Sequence, residues 1–571
     1  MTHQRRWLLC LSLVVTGPVG AASVAPVAAD NGMVVTAQHL ATDVGVDVLR
    51  AGGNAGDAAV AVGYALAVVY PAAGNIGGGG FMTLHLADGR DVFIDFRERA
   101  PLASTADMFL DANGNPDAKR STRGHLAVGV PGTVAGLELA REKYGTLPRK
   151  RLVAPAIALA ENGFVLDAGD LAMFVDATAD LMADPASRAI FFADGRPLRV
   201  GDRIRQKDLA RTLRAISRGG VDGFYRGDVA QRLVKASKDG GGIITHEDLQ
   251  QYRAVERAPI HCAYRGYTIV APPPPSSGGV TMCEMLRILE GYPLAEYGWG
   301  SADAAHVTIE AMRHAYADRN RFLGDPAFVD NPVARLLSDE HVAQIRTQIE
   351  PQHAGDSSKL APELQRREGT HTTHYSIADR FGNVASVTYT LNDWFGARVT
   401  APGTGIVLNN EMDDFTSKPG TPNLYGLVQG EANAIAGGKR PLSSMTPTIV
   451  LRNGEPVAAL GTPGGSTIIT TVLHAVLNLV DYRMDVQEAV DAPRFHHQWL
   501  PDETAVEARA LSPDTRRLLE AWGYRLVAPQ EPNHLAAILV GGPALDRPTT
   551  DGPRFYGAND PRRGTGLARG Y

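Results

Sequence analysis

Two short runs of β-branched and aromatic residues, joined by a polar turn, constrain this chain more than any other feature. The runs cover residues 374–378 and 384–390, and the residues between them include Asp, Gly and Asn. Residues of the first kind favour strands and residues of the second kind favour turns. The pattern therefore predicts a β-hairpin.

The register of this hairpin decides which side chains meet. A loop centred on Gly382 places Thr372 opposite Asn392 and His374 opposite Thr390, with directly opposed Cβ atoms about 4.5–5.5 Å apart. A slip of one residue would turn these side chains to the other face, so the register is a hypothesis.

Residues 351–369, which precede the hairpin, are polar and lack apolar periodicity. We expect them to form an exposed loop that is open to cleavage. Cleavage before Thr372 would give this threonine a free α-amino group, which titrates near 7.7–8.0 in model compounds and can serve as the base for its own hydroxyl. The base does not exist while the peptide bond to His371 is intact. The sequence thus suggests an N-terminal threonine nucleophile that cleavage activates.

The composition is that of an ordinary globular protein, with 44% apolar and 21% charged residues in a chain of 571. The formal net charge of -6 is small for this length. It gives no reason to expect nucleic acid or an anionic membrane surface as a partner.

The first residues have the layout of a secretory signal: two arginines, an apolar run over residues 7–15 and then small residues. We expect residues 1–29 to be a signal peptide, cleaved somewhere between 21 and 29, and the protein to be periplasmic or secreted. No later stretch reaches about 18 unbroken apolar residues, so no membrane span is expected.

Cys262 and Cys283 remain once the predicted signal peptide, with its Cys10, is removed. In an oxidising compartment they could form a disulfide, but their spacing does not distinguish this from two buried thiols, which are the simpler interpretation.

Glycines mark two further sites. The run 77–80 lacks the Lys and Ser/Thr of a phosphate-binding loop, so it indicates close backbone packing. The pair Asn453-Gly454 predicts a second hairpin that places Ser443 opposite Gly464. An amphipathic helix follows over residues 466–482, so Gly464 and Gly465 lie at its N-terminus, where free N–H groups could hold an oxyanion.

Helical patterns predominate between about residues 130 and 350. We expect this region to be a helical layer that covers a sheet and contributes little chemistry. The H-x-x-H spacing of His371 and His374 is a poor metal site, because residues i and i+3 of a strand point to opposite faces.

Eight short motifs occur in one order along the chain. They are GNIGGGGF (74–81), DFRE (95–98), PPPSSGG (273–279), TTHYS (372–376), LNNEMDDF (408–415), RPLSSM (440–445), TPGGS (462–466) and APRFHHQW (492–499). From about Asp30 to Tyr571 the chain resembles the bacterial γ-glutamyltranspeptidases (γ-glutamyltransferases), which are N-terminal-nucleophile hydrolases.

This resemblance implies an α+β fold, an αββα sandwich formed by two subunits that are cleaved autocatalytically from one precursor. The large subunit would span residues 30–371 and the small one residues 372–571, and the two would form a heterodimer. The implied activity is cleavage of γ-glutamyl amides such as glutathione, with transfer to amino acids, peptides or water. No metal or organic cofactor is expected.

The resemblance also assigns roles to single residues. Thr372 would be the nucleophile, and Thr390 would bond to it and assist maturation. The donor's α-carboxylate would be bound by Arg97, Ser443 and Ser444, its α-ammonium by Asn392, Glu411 and Asp414, and the oxyanion by Gly464 and Gly465. Residues 419–433, with Tyr425, match a lid loop, and Asp393-Trp394 could narrow the acceptor pocket.

The residue types fit these roles independently. A γ-glutamyl group ends in a carboxylate beside an ammonium, so its binding site needs a cation with hydroxyls on one side and acids on the other. Arginine offers a bidentate fork for a carboxylate. Two alternatives remain: a cephalosporin (glutaryl) acylase on the same scaffold, against which the presence of Asp414 argues, and an uncleaved amino-acid-binding protein.

Overall fold

The computed structural model describes residues 23–360, 372–529, 533–562 and 564–571. Fourteen strands build its two large sheets: β1 (Val27–Ala29), β2 (Gly32–Thr36), β3 (Gly79–His85), β4 (Asp91–Phe96), β5 (Val255–Arg257), β6 (Ile260–Tyr264), β7 (Tyr267–Ala271), β8 (Thr373–Asp379), β9 (Val384–Thr390), β10 (Thr448–Arg452), β11 (Glu455–Gly461), β12 (Ala536–Val540), β13 (Phe555–Asn559) and β14 (Leu567–Gly570).

Each large sheet has seven strands. The strand order is β1-β13-β12-β11-β10-β7-β6 in the first sheet and β14-β2-β8-β9-β3-β4-β5 in the second, and neighbours are antiparallel throughout. Shorter strands form small separate sheets: Phe164–Val165 with Arg203–Ile204, Phe192–Ala193 with Arg196–Pro197, Thr400–Ala401 with Ile406–Val407, and Phe495–His496 with Thr504–Val506 and Leu526–Val527.

The helices cover the outer faces of the sheets. They are α1 (His39–Arg50), α2 (Ala55–Val69), α3 (Ala118–Thr122), α4 (Thr133–Tyr144), α5 (Arg149–Asn162), α6 (Ala168–Ala172), α7 (Thr178–Ala183), α8 (Pro185–Phe191), α9 (Lys207–Gly219), α10 (Asp222–Tyr225), α11 (Gly227–Asp239), α12 (His246–Gln251), α13 (Gly278–Leu289), α14 (Leu294–Tyr297), α15 (Ala302–Phe322), α16 (Val333–Leu336), α17 (Asp339–Gln348), α18 (Thr467–Val480), α19 (Val486–Asp491) and α20 (Pro513–Ala521).

The two large sheets pack face to face. Apolar side chains from both meet between them, for example Met33 and Val35 of the second sheet and Ile449 and Ile538 of the first. A larger core lies between the second sheet and α1, α2, α4, α5 and α9. Another lies between the first sheet and α13, α15 and α18. The predicted αββα sandwich is therefore confirmed.

Local sequence explains why α2 lies at the centre of one core. Asn54 and Asp57 form a capping box at its start, and every residue of the helix is buried. The glycine run that follows packs as predicted. A Cβ on Gly78 would lie 2.0 Å from the Thr390 carbonyl oxygen, and one on Gly80 would lie 2.4 Å from that of Thr388. Only glycine lets β3 come this close to β9.

The hairpin of β8 and β9 forms as predicted, but its register differs by two residues. His374 lies opposite Thr388 instead of Thr390. The loop is centred on Phe381, because Gly382 takes the left-handed conformation at its end (φ +100°) and the Asp379 N–H donates to the Asn383 carbonyl. A shift of two residues keeps every side chain on its predicted face.

The second hairpin has the predicted Asn453-Gly454 turn, with Arg452 opposite Glu455. A register shift between Val450 and Leu451 then displaces the pairing by one residue. The predicted pairing of Ser443 with Gly464 is not formed, because both residues lie beyond the paired strands, and Ser443 forms an isolated bridge with Ser276 instead.

Cys262 and Cys283 form a disulfide that joins β6 to α13. The simpler interpretation of two buried thiols is therefore wrong. Packing brings the two residues to a Cα–Cα distance of 5.9 Å, which a separation of 21 residues does not reveal.

Two predictions about exposed or removed segments fall partly outside the described residues. In the predicted loop 351–369, residues 351–360 are described, and among them Ser357 is buried and accepts a hydrogen bond from the Trp499 indole at its carbonyl. Residues 361–369 and most of the predicted signal peptide lie outside the described ranges. Among the helices that are described, none is both long and apolar enough to cross a bilayer.

Candidate active site

A cavity of about 20 Å³ lies between the ends of the two sheets. It has room for little more than one water molecule. Its lining contains every residue predicted for catalysis, donor binding or the lid, except Gly464. The lining residues are Arg97, Arg319, Thr372, Thr390, Asn392, Glu411, Asp414, Tyr425, Leu427, Leu442, Ser443, Ser444, Met445, Gly465 and Ile468. Residues from distant parts of the chain thus converge at one point.

The hairpin brings Thr372 and Thr390 to this cavity. Continued by one residue beyond the Thr373–Tyr389 pair, the register of β8 and β9 sets Thr372 opposite Thr390. Both are buried, and the Thr390 hydroxyl accepts a hydrogen bond of 2.8 Å from the Asn392 N–H. In the continuous chain the nitrogen of Thr372 still belongs to a peptide bond, so the proposed amine base is not yet present.

Arg97 stands at the end of β4 and reaches across to a 3₁₀ turn, Glu411–Asp414. One terminal nitrogen of its guanidinium pairs with Glu411 and the other with Asp414, while its Nε donates to the Pro441 carbonyl at 3.2 Å. The group expected to bind a carboxylate is therefore held by the groups expected to bind an ammonium.

Burial shapes the protonation of this cluster. Burial raises the pKa of Glu411 well above its usual value, although Arg97 opposes the shift, and it raises the pKa of Asp414 in the same way. Burial also raises the pKa of Glu98 to about 7. The Glu98 carboxylate lies 3.6 Å from Arg97. Three acids thus surround one guanidinium in a buried site.

Asn392 and Tyr425 close the cavity from another side. Asn392 takes a left-handed conformation (φ +77°), and its side chain donates to the Asn410 carbonyl at 3.0 Å. The Tyr425 hydroxyl donates to the Asn392 carbonyl at 2.6 Å. Asp413 holds the same segment through the Leu424 N–H at 2.7 Å. The segment 419–433, which we predicted to be a lid loop, therefore contributes Tyr425 and Leu427 to the lining of the cavity.

Gly465 lines the cavity just before α18, where the helix presents its positive end. Gly464 lies behind it. A Cβ on Gly464 would lie 2.2 Å from the Asn533 side chain, and its φ of +137° favours glycine. Gly464 thus lies in the turn that leads through Gly465 into α18.

The two serines of the RPLSSM motif lie side by side in the lining. The Ser443 hydroxyl oxygen accepts the Met445 N–H at 3.1 Å, and the Ser444 hydroxyl oxygen accepts a hydrogen bond from Arg319 at 3.0 Å. Since each oxygen already accepts an N–H, each hydroxyl hydrogen is free to donate to a ligand.

Arg319 is the residue that the sequence analysis missed. It comes from α15, in the region where we expected little chemistry, and it is 1% exposed. A signal was present, because Arg319 continues the buried stripe of Met312 and Tyr316 at helical spacing. A charged residue on such a stripe indicates a buried polar site.

Three side chains near the motifs do not line the cavity. Asp393 pairs with Arg398 at 3.1 Å and Trp394 packs edge-on against Tyr70, so the structure gives no support to a narrowing of the acceptor pocket by these residues. His374 is bonded to Thr388 and Ser376, and burial lowers the pKa of His374 to about 3. It is a neutral structural residue.

One group of metal-ligating side chains occurs in the described part of the chain, away from the cavity. It consists of Glu284, Asp318 and His341, with the His341 Nε2 between the two carboxylates at 3.2 and 2.8 Å. Hydrogen bonds from Asp318 and Glu284 raise the pKa of His341 to about 9. A protonated imidazole therefore satisfies this group.

Comparison with known proteins agrees with the geometry. A family model described as Gamma-glutamyltranspeptidase matches residues 41–569 of this chain. The chain is 63% identical over 554 residues to a glutathione hydrolase proenzyme of Pseudomonas sp. (strain A14), covering 97% of this chain and 96% of that protein. It is 50% identical over 550 residues to a glutathione hydrolase proenzyme of Escherichia coli (strain K12), covering 96% and 93%.

A solved structure is similar over nearly the whole chain. It is that of a cephalosporin acylase from Bacillus halodurans, with a TM-score of 0.83 at 28% identity, and the match covers 98% of this chain and 99% of that one. The family match covers residues 41–569, and this range includes all of the clustered residues described above. The chain therefore belongs to the γ-glutamyltranspeptidase family.

Proposed function

We propose that this protein is a γ-glutamyltransferase and glutathione hydrolase with Thr372 as its nucleophile. The observation that carries the proposal is the arrangement of Arg97 against Glu411 and Asp414 in the cavity that Thr372 lines. A cation and two acids side by side match the α-carboxylate and α-ammonium of a γ-glutamyl group.

Donor binding follows as an exchange of partners. In the cavity described here, Arg97 neutralises the two acids, and the remaining space is far too small for a γ-glutamyl group. The donor's carboxylate would replace the two acids as the ion-pair partner of Arg97, and it would accept hydrogen bonds from Ser443 and Ser444. The donor's ammonium would replace Arg97 as the partner of Glu411 and Asp414, and it would also donate to the side chain of Asn392. Each buried charge would then keep an opposite partner.

The reaction proceeds through a covalent ester. After cleavage, the Thr372 α-amine accepts the hydroxyl proton as Thr372 Oγ attacks the γ-amide carbon. The negative oxygen of the tetrahedral intermediate is held by N–H groups at Gly464 and Gly465. The C–N bond breaks, the leaving amine takes the proton, and a γ-glutamyl ester remains. Water or an acceptor amine then attacks the ester and gives a proton to the Thr372 α-amine. The bond between the acyl carbon and Thr372 Oγ breaks, and Oγ takes up this proton.

We further propose that the precursor is cleaved between His371 and Thr372, giving subunits of residues 30–371 and 372–571 that stay together. The Thr372 hydroxyl would attack the carbonyl carbon of His371, and the C–N bond between the two residues would break and free the Thr372 amine. Water would then hydrolyse the resulting ester. Both large sheets contain strands from the two proposed subunits: β8 of the small subunit pairs with β2 of the large one, and β10 of the small subunit pairs with β7 of the large one. This shared pairing supports a lasting heterodimer.

Export is part of the same proposal. A signal peptide and the Cys262–Cys283 disulfide both fit the periplasm or the exterior. The pairing of β1 (Val27–Ala29) with β13 supports cleavage near residue 21 or 22, since cleavage after Ala29 would remove a strand of the first sheet.

Two measurements test the function. Turnover of γ-glutamyl-p-nitroanilide should exceed that of glutaryl-p-nitroanilide, and the opposite preference would identify a glutaryl acylase. Edman sequencing of the smaller fragment should begin Thr-Thr-His-Tyr-Ser. A chain that stays uncleaved and binds γ-glutamyl compounds without turnover would point instead to the amino-acid-binding alternative.

A further inference from the structure

Arg319 is a buried cation whose hydrogen-bond partners are all neutral. Within the described ranges its guanidinium donates to the hydroxyls of Ser277 (2.9 Å) and Ser444 (3.0 Å) and to the side-chain oxygens of Asn320 (2.7 Å) and Gln429 (3.4 Å). These bonds use four of its five N–H groups. None of them reaches a carboxylate, although the residue is 1% exposed and lines the cavity.

The other fully buried arginines differ in this respect. Arg97 pairs with Glu411 and Asp414, and Arg313, two turns earlier on α15, pairs with Glu310 and Asp502. An ion buried without an opposite charge costs several kcal/mol, as a general rule. Desolvation accordingly lowers the pKa of Arg319 to about 10. The acid whose charge favours the protonated form of Arg319 is Asp414, but Asp414 is paired directly with Arg97, so an anionic ligand in the cavity would supply the direct partner that Arg319 lacks.

The direction of its hydrogen bonds shows where that anion would lie. Because Arg319 Nη2 donates to the Ser444 oxygen, the Ser444 hydroxyl hydrogen has to find an acceptor elsewhere. Ser444 lines the cavity, so this hydrogen is available to a ligand there. Arg319 Nε also donates to the hydroxyl of Ser277, which in turn donates to the Ser443 carbonyl at 2.7 Å. The Arg319 guanidinium thus positions Ser444 directly and Ser443 through Ser277.

We propose that Arg319 is a specificity-determining residue of the donor site, which positions Ser444 as a hydrogen-bond donor and makes the pocket select a donor with an α-carboxylate. This inference rests on the proposed function, because it assumes a γ-glutamyl donor. Arg97 binds the carboxylate from one side. Arg319 adds a second positive charge behind the serines, where its effect on a neutral ligand is small and its effect on an anion is large.

A pair of substrates separates this role from a structural one. One is γ-glutamyl-p-nitroanilide, and the other is the same compound with its α-carboxylate converted to a carboxamide. We define the carboxylate preference as the ratio of kcat/KM for the first compound to kcat/KM for the second. Arg319→Gln should lower this preference at least tenfold. The double variant Arg319→Gln/Ser444→Ala should show little further loss relative to Ser444→Ala, because the two residues act as a unit.

The matched control is Arg313→Gln, which removes another buried arginine of α15, one that does not line the cavity. In this variant any loss of activity should come from lower stability of the fold, so kcat/KM should fall by the same factor for both substrates. Should Arg319→Gln remain uncleaved on denaturing gels, Arg319→Lys decides the matter: lysine keeps the charge but not the planar fork, and we expect a three- to tenfold loss of preference.

An unchanged carboxylate preference in the processed Arg319 variant would overturn the inference, whatever happens to absolute activity. The proposed function fails separately, if the wild-type protein turns over neither donor or prefers the glutaryl compound. A wild-type enzyme that prefers the carboxylate donor, with variants that retain this preference, would leave the function intact and remove only the role given to Arg319.

Discussion

The hydroxyl of Tyr425 donates a 2.6 Å hydrogen bond to the backbone carbonyl of Asn392. Asn392 is held in a left-handed conformation that a non-glycine residue adopts at a cost. Its own side chain is fixed by the Asn410 carbonyl. Tyr425, from the segment 419–433 that we predicted to be a lid loop, thus stabilises the conformation of a residue of the proposed ammonium site.

Tyr425→Phe should weaken donor binding without preventing cleavage of the precursor. It removes the donor to a buried carbonyl, which costs about 1–3 kcal/mol, or roughly a 5- to 160-fold loss in kcat/KM. Steady-state kinetics with γ-glutamyl-p-nitroanilide measure the change, and Tyr482→Phe, outside the cavity, is the control. Unaltered kinetics in Tyr425→Phe would mean that the hydrogen bond does not support the site.

Thr372→Ala should abolish both cleavage and turnover, because the hydroxyl is the nucleophile for each. Denaturing electrophoresis should show one band of precursor length even after prolonged incubation. Thr373→Ala, the next residue along β8, should be processed normally. Two bands from Thr372→Ala would show that the scissile bond lies elsewhere.

Asp414→Ala should reverse the preference between donors. The variant loses a carboxylate for the donor's ammonium, so kcat/KM for γ-glutamyl-p-nitroanilide should fall at least 100-fold, in line with the loss of a buried charge partner. Glutaryl-p-nitroanilide has no ammonium, and its turnover should fall much less. Asp413→Asn is the control, because Asp413 accepts the Leu424 N–H and does not line the cavity. Equal losses for both substrates in Asp414→Ala would contradict the assignment.

Removal of the disulfide should reduce stability but not catalysis. For the 21-residue separation between Cys262 and Cys283, loop-closure entropy predicts a loss of about 3 kcal/mol. The double variant Cys262→Ala/Cys283→Ala should therefore show a lower midpoint in urea, and its kcat/KM should stay within about twofold of wild type. Treatment of the wild-type protein with a reductant should give the same shift, and the variant should not respond to it.

The triad of Glu284, Asp318 and His341 should make stability depend on pH. The pKa of His341 is raised to about 9 in the folded state, from an ordinary value of 6.5. Its stabilising effect is therefore complete below pH 6.5 and is lost as the pH rises through 9. We expect the difference in Tm between wild type and His341→Gln to be largest near pH 6 and to shrink by pH 10. A difference that grows with pH would contradict this assignment.

Much of the protein follows from short-range rules in its sequence. Strand and turn residues define the hairpin around Thr372, Asn453-Gly454 defines the second hairpin, and apolar periodicity defines the long helices. These features depend on neighbours in the chain, so local chemistry is sufficient to predict them. The motifs then identify the family and the residue types that a γ-glutamyl group requires.

Tertiary structure decided how these parts meet. The register of the first hairpin depended on which loop residue takes the left-handed conformation, and the disulfide depended on the packing of β6 against α13. Arg97 and Glu411 are 314 residues apart in sequence. They meet because β9, β3 and β4 are neighbours in one sheet, which brings the segment after β9 beside the end of β4. Arg319 comes from a helix whose pattern indicates burial, but which groups surround a buried charge depends on long-range packing that no local pattern encodes.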